Sequence, residues 1–302
     1  MNLQEKLAAG HFVLTAEVTP PVSFSRSDLL TKALPLKGVA DAVNVTDGAG
    51  ARAGLGALSA AAMLLEAGLE PIMQMTCRDR NRIALQSDLI SAAAWGVRNL
   101  LALRGDDPSA GDQPDAKPVF DLDARQLLET ARRLRDTAEL PSGRKVTGRA
   151  DFFLGAADSP IDPAPGWVPE SLINKVAAGA QFAQTQFCMD TGVVRRYAAR
   201  LAEHGLGNLS LLIGVAPLRS AKSARWMKDK LFGTIIPDAL VERMERAPDP
   251  AAEGVRICVE LIEQMSEIPG IAGAHIMAPN NDAVVPEVIA QAKKRVSRIA
   301  AV

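Results

Sequence analysis

The sequence predicts an α/β protein built on a closed (β/α)8 barrel, the TIM barrel. Eight short apolar segments alternate along the 302-residue chain with longer segments in which apolar residues recur every three or four positions. Such alternation is typical of parallel strands joined by right-handed helical crossovers, and eight units are the number that closes a barrel. An open, doubly wound sheet is the alternative, but no GxGxxG motif follows the first predicted strand.

The predicted strands and helices follow one another in order along the chain. The strands are predicted at residues 11–18, 41–47, 70–77, 97–105, 148–156, 181–189, 208–216 and 273–279. The helices between them, which carry apolar residues on one face and charges on the other, are predicted at 55–68, 80–96, 123–139, 169–180, 191–205, 220–232 and 281–300.

Glycines mark the ends of three of these helices, at Gly68, Gly96 and Gly205. A glycine there readily takes the left-handed conformation that turns the chain back toward the sheet. The stretch 231–268 is longer than one crossover needs, so one or two extra helices are expected before the last strand. Because no linker rich in Ser, Gly or Pro divides the chain, residues 1–302 are predicted to form one domain.

Composition excludes several classes of function. The 34 basic and 35 acidic residues nearly cancel, and aromatic residues make up only 4% of the chain. Neither the basic surface nor the stacking platforms of nucleic-acid-binding proteins are therefore expected, and nothing indicates an anionic membrane surface. Three cysteines without CxxC spacing and three scattered histidines predict no metal site. With no signal peptide and no apolar run of about 20 residues, a soluble cytoplasmic protein is expected.

Polar side chains stand at the carboxyl ends of most predicted strands. In a parallel barrel these ends meet at one face, where binding and catalysis gather. Buried strands rarely end in polar side chains unless a polar ligand or solvent lies at that end of the barrel. These residues therefore predict a concave binding site at the open end of the barrel. They are Glu17, Thr46, Asp47, Gln74, Thr76, Arg104, Asp106, Gln184, Thr185, Gln186, His275 and Asn280.

Five segments around these residues resemble the methylenetetrahydrofolate reductases, specifically the single-domain bacterial type. The resemblance covers residues from about 10 to 230 and is specific because all five occur in the same order and spacing. They are TAEVTPP, NVTDGAG, MTCRDR, LALRGDDP and AGAQFAQTQFCMD. The resemblance implies a barrel that passes hydride from NADH or NADPH, through FAD, to 5,10-methylenetetrahydrofolate and yields 5-methyltetrahydrofolate.

The resemblance also implies roles for three polar residues. Glu17 matches the acid that assists ring opening of the folate, and a positioned acid of this kind contributes about 10²–10⁴-fold to the rate. Asp106 matches a catalytic carboxylate near the pterin and the flavin, where it can accept hydrogen bonds from the pterin. Gln186 matches the residue that binds substrate and nicotinamide in turn.

The expected cofactor residues lie on neighbouring strand ends. Thr46, Thr76, Arg104 and Gly105 match flavin contacts, and Lys175 matches a lysine that faces the phosphates. FAD and a nicotinamide nucleotide are the implied cofactors and a tetrahydrofolate is the implied partner. The resemblance does not decide between NADH and NADPH, or whether the protein forms a homo-oligomer.

The sequence departs from the family pattern around the cofactor tail. The loop after the fifth predicted strand lacks the family's tyrosine and histidine, and Asn174 stands where an arginine is expected. We therefore expect FAD to bind more loosely than is usual for the family. Three alternatives remain open: direct hydride transfer from NADH without flavin, a folate-dependent methyltransferase that uses the same pterin site, and a non-catalytic folate-binding barrel. Retention of Glu17 argues against the last.

Overall fold

Eight parallel strands close into one barrel, which confirms the predicted fold class. The computed structural model describes the backbone of residues 1–299 and the side chains of residues 1–296. Each strand pairs with the next along the chain, and the last pairs with the first. The strands are β1 (Val13–Val18), β2 (Ala42–Val45), β3 (Pro71–Thr76), β4 (Asn99–Leu103), β5 (Phe153–Asp158), β6 (Phe182–Phe187), β7 (Ser210–Val215) and β8 (Ile271–Ile276).

Helices alternate with these strands and cover the outside of the barrel. Over the described residues they are α1 (Leu3–Ala8), α2 (Arg26–Ala33), α3 (Ala57–Glu66), α4 (Arg82–Trp95), α5 (Ala124–Thr137), α6 (Glu170–Ala177), α7 (Thr191–Glu203), α8 (Ala221–Lys230), α9 (Asp238–Arg246), α10 (Pro250–Ser266) and α11 (Val285–Ile299). Short 3-10 helices lie at Leu34–Leu36, Ala49–Ala51, Pro108–Ala110 and Asp282–Val284. The seven predicted helices are all present, and α9 and α10 are the extra helices expected before the last strand. The predicted last position of the final helix, residue 300, lies outside the described residues.

Some helices and strand boundaries differ from the prediction. The helices α1 and α2 are not predicted, because each buries too few apolar residues to produce a helical periodicity in the sequence. For example, α2 buries only Leu29 and Ala33. The strand β5 begins at Phe153 and not at residue 148. Its neighbour β4 begins at Asn99, which pairs with Phe153, so earlier residues have no strand to pair with.

The interior of the barrel is apolar at the amino ends of the strands. Leu3 of α1 packs into this end with inward-facing residues from seven strands, β1 to β7, and the rings of Phe153 and Phe182 stack 4.8 Å apart. Gly155 makes room for this pair, since a Cβ at that position would overlap the Phe182 ring. We call this cluster around Leu3, Phe153 and Phe182 the apolar floor. It closes the barrel at the amino ends of the strands, so the interior opens toward their carboxyl ends. No helix within residues 1–299 is both long and apolar enough to cross a membrane.

Replacement of Gly254 by alanine is expected to lower the free energy of unfolding. In the middle of α10, helix propensity alone would favour alanine by about 1 kcal/mol. A Cβ there would overlap the carbonyl oxygen of Leu218, which is backbone and cannot rotate away. Overpacking of this kind costs about 1–3 kcal/mol, so the clash outweighs the propensity.

Urea unfolding of the Gly254→Ala protein measures this difference. Gly207→Ala is the matched control, because a Cβ at Gly207 would lie 3.5 Å from Ala202 Cβ, an ordinary contact. A Gly254→Ala protein as stable as the Gly207→Ala protein would contradict the close approach of α10 to the segment after β7.

Candidate functional site

A hydrogen-bonded layer of polar side chains lies above the apolar floor inside the barrel. Asn44 and Gln184 face each other across the interior with paired carboxamides, at 2.6 Å and 3.1 Å. The Gln184 Nε2 group also donates to Thr15 Oγ1 at 3.1 Å, and Thr15 Oγ1 lies 3.0 Å from His275 Nδ1. All four side chains are buried. Because their polar atoms satisfy one another, this layer is a rigid base for the residues above it.

This layer also positions the imidazole of His275. Thr15 Oγ1 accepts a hydrogen bond from Gln184 and is hydrogen-bonded to His275 Nδ1, with donor and acceptor set by the histidine tautomer. The other ring nitrogen, Nε2, faces the Glu17 carboxylate at 3.7 Å. Glu17 also accepts a hydrogen bond from Gln74 Nε2 at 3.1 Å. Its side chain is 22% exposed and is therefore open to a ligand at the barrel mouth.

The loop after β4 carries the second expected carboxylate. Asp106 is exposed, and its Oδ2 accepts the backbone N–H of Gly50 from the loop after β2 at 2.8 Å. Gly105 before it has a φ of +94°, and a Cβ there would lie 3.0 Å from Arg78 Cβ and 3.1 Å from Thr76 Cβ. Both the backbone conformation and the close packing therefore require glycine at this position.

The two threonines of the site differ in their hydrogen bonding. Thr46 Oγ1 is buried and has no hydrogen-bond partner among the described residues. Thr76 Oγ1 instead donates to Asp47 Oδ2 at 3.0 Å, and Arg80 pairs with the same carboxylate. The Thr46 hydroxyl is thus available to hydrogen-bond a ligand, whereas the Thr76 hydroxyl already donates its proton to Asp47.

A cavity of about 760 Å³ opens between the ends of β4 and β5 and the helices α5 and α6. Three cations line it, Arg104, Lys175 and Arg125, and Arg125 pairs with Glu129. Arg104 lies over the ring of Phe120, with its guanidinium carbon 4.5 Å from the ring centroid. Lys175 Nζ donates to the carbonyl oxygen of Ala157 at 2.8 Å. Trp167 also lines the cavity and supplies an apolar wall.

Three acidic residues, Asp123, Asp158 and Glu170, also line this cavity. Burial raises the pKa of Asp158, while the Tyr197 hydroxyl, which donates to it at 2.5 Å, and the charge of Lys175 act in the opposite direction. Burial and the neighbouring carboxylate also raise the pKa of Tyr197, which keeps its hydroxyl a donor. A ligand phosphate near Lys175 would meet these three acidic side chains as well as the cations.

Gln186 lies where the pairing of β6 with β7 shifts register. Its Oε1 accepts the backbone N–H of Phe187 at 3.0 Å, and its Nε2 donates to the carbonyl oxygen of Phe232 at 3.3 Å. Register shifts near a barrel rim re-aim side chains. The carboxamide is half-buried at the mouth, with one N–H and one acceptor position beyond those used by its backbone partners.

The structure brings most of the predicted site residues to the same face of the barrel. Sequence reasoning missed the supporting roles of Thr15 and Asn44, although each lies two positions before a predicted site residue on its strand, the spacing of one strand face. It also missed Arg78, a buried arginine between the loops that follow β2 and β4.

A model of the family described as methylenetetrahydrofolate reductase matches residues 2–293. Methylenetetrahydrofolate reductase 2 of Schizosaccharomyces pombe is 27% identical over 228 residues, which cover 69% of this chain and 33% of that protein. The 5,10-methylenetetrahydrofolate reductase of Escherichia coli is 26% identical over 223 residues, covering 70% of this chain and 67% of that protein. The chain thus spans about a third of the length of the yeast relative.

Solved structures share the fold at low sequence identity. A protein from Clostridium thermocellum, described as binding two copies of 5-methyl-5,6,7,8-tetrahydrofolic acid, has a TM-score of 0.60 and 15% identity. The match covers 98% of this chain and 99% of that one. An F420-dependent secondary alcohol dehydrogenase has a TM-score of 0.56 and 12% identity, covering 93% and 99% of the two chains. At these identities, the two structures show that the barrel fold is shared and nothing further about this chain.

Proposed function

This chain belongs to the methylenetetrahydrofolate reductase family, and on that premise we propose that it reduces 5,10-methylenetetrahydrofolate to 5-methyltetrahydrofolate with hydride from NADH or NADPH. The observation that carries the proposal is the carboxyl group of Glu17. It lies at the open end of the barrel, is partly exposed, and is held by Gln74 above a closed polar layer. A general acid needs both this access and this fixed position.

In the proposed reaction, Glu17 assists proton delivery to the folate nitrogen that leaves the bridging methylene carbon. The carbon–nitrogen bond of the five-membered ring then breaks, and the methylene carbon becomes part of an electrophilic iminium. Hydride addition to that carbon completes the methyl group. His275 Nε2 lies 3.7 Å from the Glu17 carboxylate, and in the tautomer that carries its proton there it would stabilise the anion left after proton delivery.

Asp106 is proposed to bind the pterin through its carboxylate. One oxygen accepts the Gly50 N–H and so fixes the carboxylate, while acceptor positions on the exposed group remain for amino and ring N–H donors of the ligand. Gln186 is proposed to exchange its bonds with Phe187 and Phe232 for bonds to substrate or nicotinamide.

Two features fit FAD as the resident cofactor. The unpartnered hydroxyl of Thr46 is buried, where an unmade hydrogen bond is costly unless a ligand supplies it. The cavity beside Arg104 and Lys175 has the volume and the cations that a flavin nucleotide requires. When bound, FAD would carry hydride between the nicotinamide nucleotide and the folate. Thr46, Arg104, Gly105 and Lys175 are the residues proposed to hold it, with Thr76 acting through its oxygen as an acceptor.

We expect FAD to bind, but weakly. Lys175 shares its cavity with the acidic residues Asp123, Asp158 and Glu170, and Asn174, which lines the same cavity, adds no charge. Each missing charge-assisted hydrogen bond costs about 1.5–3 kcal/mol, and two such losses reduce affinity by roughly two to four powers of ten. Titration of the apoprotein with FAD, followed by flavin fluorescence, measures the dissociation constant.

Two variants test which residues hold the cofactor in that titration. Lys175→Met is expected to weaken FAD binding further, by about tenfold. Lys145→Met is the control, because Lys145 is exposed and pairs with Glu139 on the loop before β5, at the opposite end of the barrel. Tight stoichiometric binding by the wild-type protein would contradict the weak-binding argument. Absence of binding combined with NADH-dependent folate reduction would favour direct hydride transfer.

The proposed activity itself is tested by NADH and NADPH oxidation that depends on added 5,10-methylenetetrahydrofolate, with FAD present. We expect oxidation of at least one nucleotide in proportion to the folate consumed. Folate binding without oxidation of either nucleotide would contradict the reductase and would favour the folate-dependent methyltransferase.

A further inference from the structure

We propose that Arg78 is a positioning residue that holds the Asp106 carboxylate in place for folate binding. The inference rests on the proposed function, because it assumes that Asp106 binds the pterin. Arg78 follows β3 in the chain and its side chain is only 4% exposed. Its guanidinium lies between the loops that follow β2 and β4.

The Arg78 guanidinium binds groups from three loops. It pairs with Asp79 through two bonds of 2.7 Å, from Nε and Nη2. It donates from Nη2 to the carbonyl oxygen of Gly48 at 3.2 Å and from Nη1 to that of Asp106 at 3.4 Å. Hydrogen bonding to Asp79 raises the pKa of Arg78, so the group stays charged in spite of its burial. One buried cation therefore joins the loops after β2, β3 and β4.

The backbone around Arg78 is shaped to this side chain. Gly48 has a φ of +61°, and a Cβ there would overlap Nη2 of Arg78. Gly105 has a φ of +94°, and a Cβ there would lie 3.0 Å from Arg78 Cβ. Both loops thus approach the arginine through glycines at positive φ, where another residue would be strained and would overlap Arg78 at Gly48 or crowd it at Gly105.

The same two loops meet a second time at the Asp106 carboxylate. Asp106 Oδ2 accepts the N–H of Gly50, which lies two residues after Gly48. Arg78 therefore fixes both ends of this contact: the backbone of Asp106 on one side and the loop that carries Gly50 on the other. Without the guanidinium, the carbonyl oxygens of Gly48 and Asp106 lose their common donor, and the carboxylate loses its fixed orientation.

A double-mutant cycle on the full-length protein separates positioning from general stabilisation. The probe is 5-methyltetrahydrofolate, whose dissociation constant is measured by calorimetry for wild type, Arg78→Met, Asp106→Asn and the double variant. We expect Arg78→Met to raise the constant by about tenfold to a hundredfold, the scale of a misplaced binding group. In the Asp106→Asn background we expect the same change to raise it by less than about threefold, because the group being positioned is already lost.

Arg82→Met is the matched control. Arg82 lies four residues along the chain and makes a similar two-bonded pair with Asp121, at 2.8 Å and 2.7 Å, but its bonds do not involve Gly48 or Asp106. We expect it to leave folate affinity within about twofold of wild type, as for an exposed ion pair. Equal, additive losses from Arg78→Met in both backgrounds would overturn the positioning role.

A second variant keeps the inference testable if Arg78→Met fails to fold. Arg78→Lys retains the charge, but a single ammonium cannot reproduce the planar fork that reaches Asp79, Gly48 and Asp106 together. We expect it to fold and to raise the dissociation constant by at least about threefold, and a wild-type constant would overturn the inference. If Asp106→Asn weakens binding and the arginine variants do not, only the inference fails. If Asp106→Asn has no effect, the proposed pterin contact fails with it.

Discussion

Replacement of Glu17 by glutamine is expected to reduce turnover of 5,10-methylenetetrahydrofolate by at least about a hundredfold, the usual contribution of a positioned acid. Glutamine has nearly the same shape and can still accept the hydrogen bond from Gln74, so the fold should be retained. It has no acidic proton to deliver, however, and ring opening must then rely on solvent. Steady-state measurement of 5-methyltetrahydrofolate formation checks this result.

Two further measurements make the Glu17 result specific to proton delivery. Oxidation of NADH or NADPH by an artificial acceptor such as menadione should survive in Glu17→Gln, because that half-reaction needs no acid. Glu70→Gln is the control variant: Glu70 is a half-buried glutamate next to β3, but it lies at the closed end, where it accepts bonds from Leu3 N and Asn99 Nδ2. Folate turnover that is unchanged in Glu17→Gln would remove Glu17 from the mechanism.

Asp106→Asn is expected to weaken folate binding by about tenfold to a hundredfold, the cost of losing a hydrogen bond to a charged acceptor. The amide oxygen can still accept the Gly50 N–H, and this leaves the NH₂ group toward the ligand. There it presents donors to pterin groups that are themselves donors. The rate of folate reduction should fall as well, since the bound folate is no longer oriented.

Asp107→Asn is the natural control for that experiment. Asp107 adjoins Asp106, but its carboxylate bonds to Ser109 through the backbone N–H at 2.8 Å and the hydroxyl at 2.6 Å. These bonds cap the short 3-10 helix Pro108–Ala110. We expect Asp107→Asn to bind folate as wild type does. Equal affinities for wild type and Asp106→Asn would contradict the pterin contact.

The fold could be predicted from sequence because each strand and most helices carry a strong local signal. Apolar runs of four to eight residues and glycines at helix ends locate the elements, and strict alternation determines the topology. Elements that are stabilised mainly by contacts with residues distant in the chain could not be predicted from the sequence. The short helix α1 is an example: it buries only Leu3, yet that residue closes the floor of the barrel.

The candidate site was partly predictable for a similar reason. Residues at strand ends, such as Glu17 and Asp106, are brought to one face by the topology alone. The hydrogen bonds between them depend on three-dimensional register. Thr76 shows the difference, because its hydroxyl donates to Asp47 from the neighbouring strand end. Arg78 is a second example, because nothing about its position in the sequence indicates that Gly48 and Gly105 lie against its side chain.

Isotope transfer from the nicotinamide to the folate is the decisive test of the proposed reduction. The protein is incubated anaerobically with 5,10-methylenetetrahydrofolate, FAD and NADH or NADPH deuterated at the transferable position, and the product is examined by mass spectrometry. With a flavin intermediate, part of the label can exchange with solvent, so the same reaction in D₂O with unlabelled nucleotide is run beside it. We expect 5-methyltetrahydrofolate that gains one deuterium in its methyl group in at least one of the two reactions. Failure to form 5-methyltetrahydrofolate with either nucleotide, from folded protein that binds the folate, would contradict the proposed reduction.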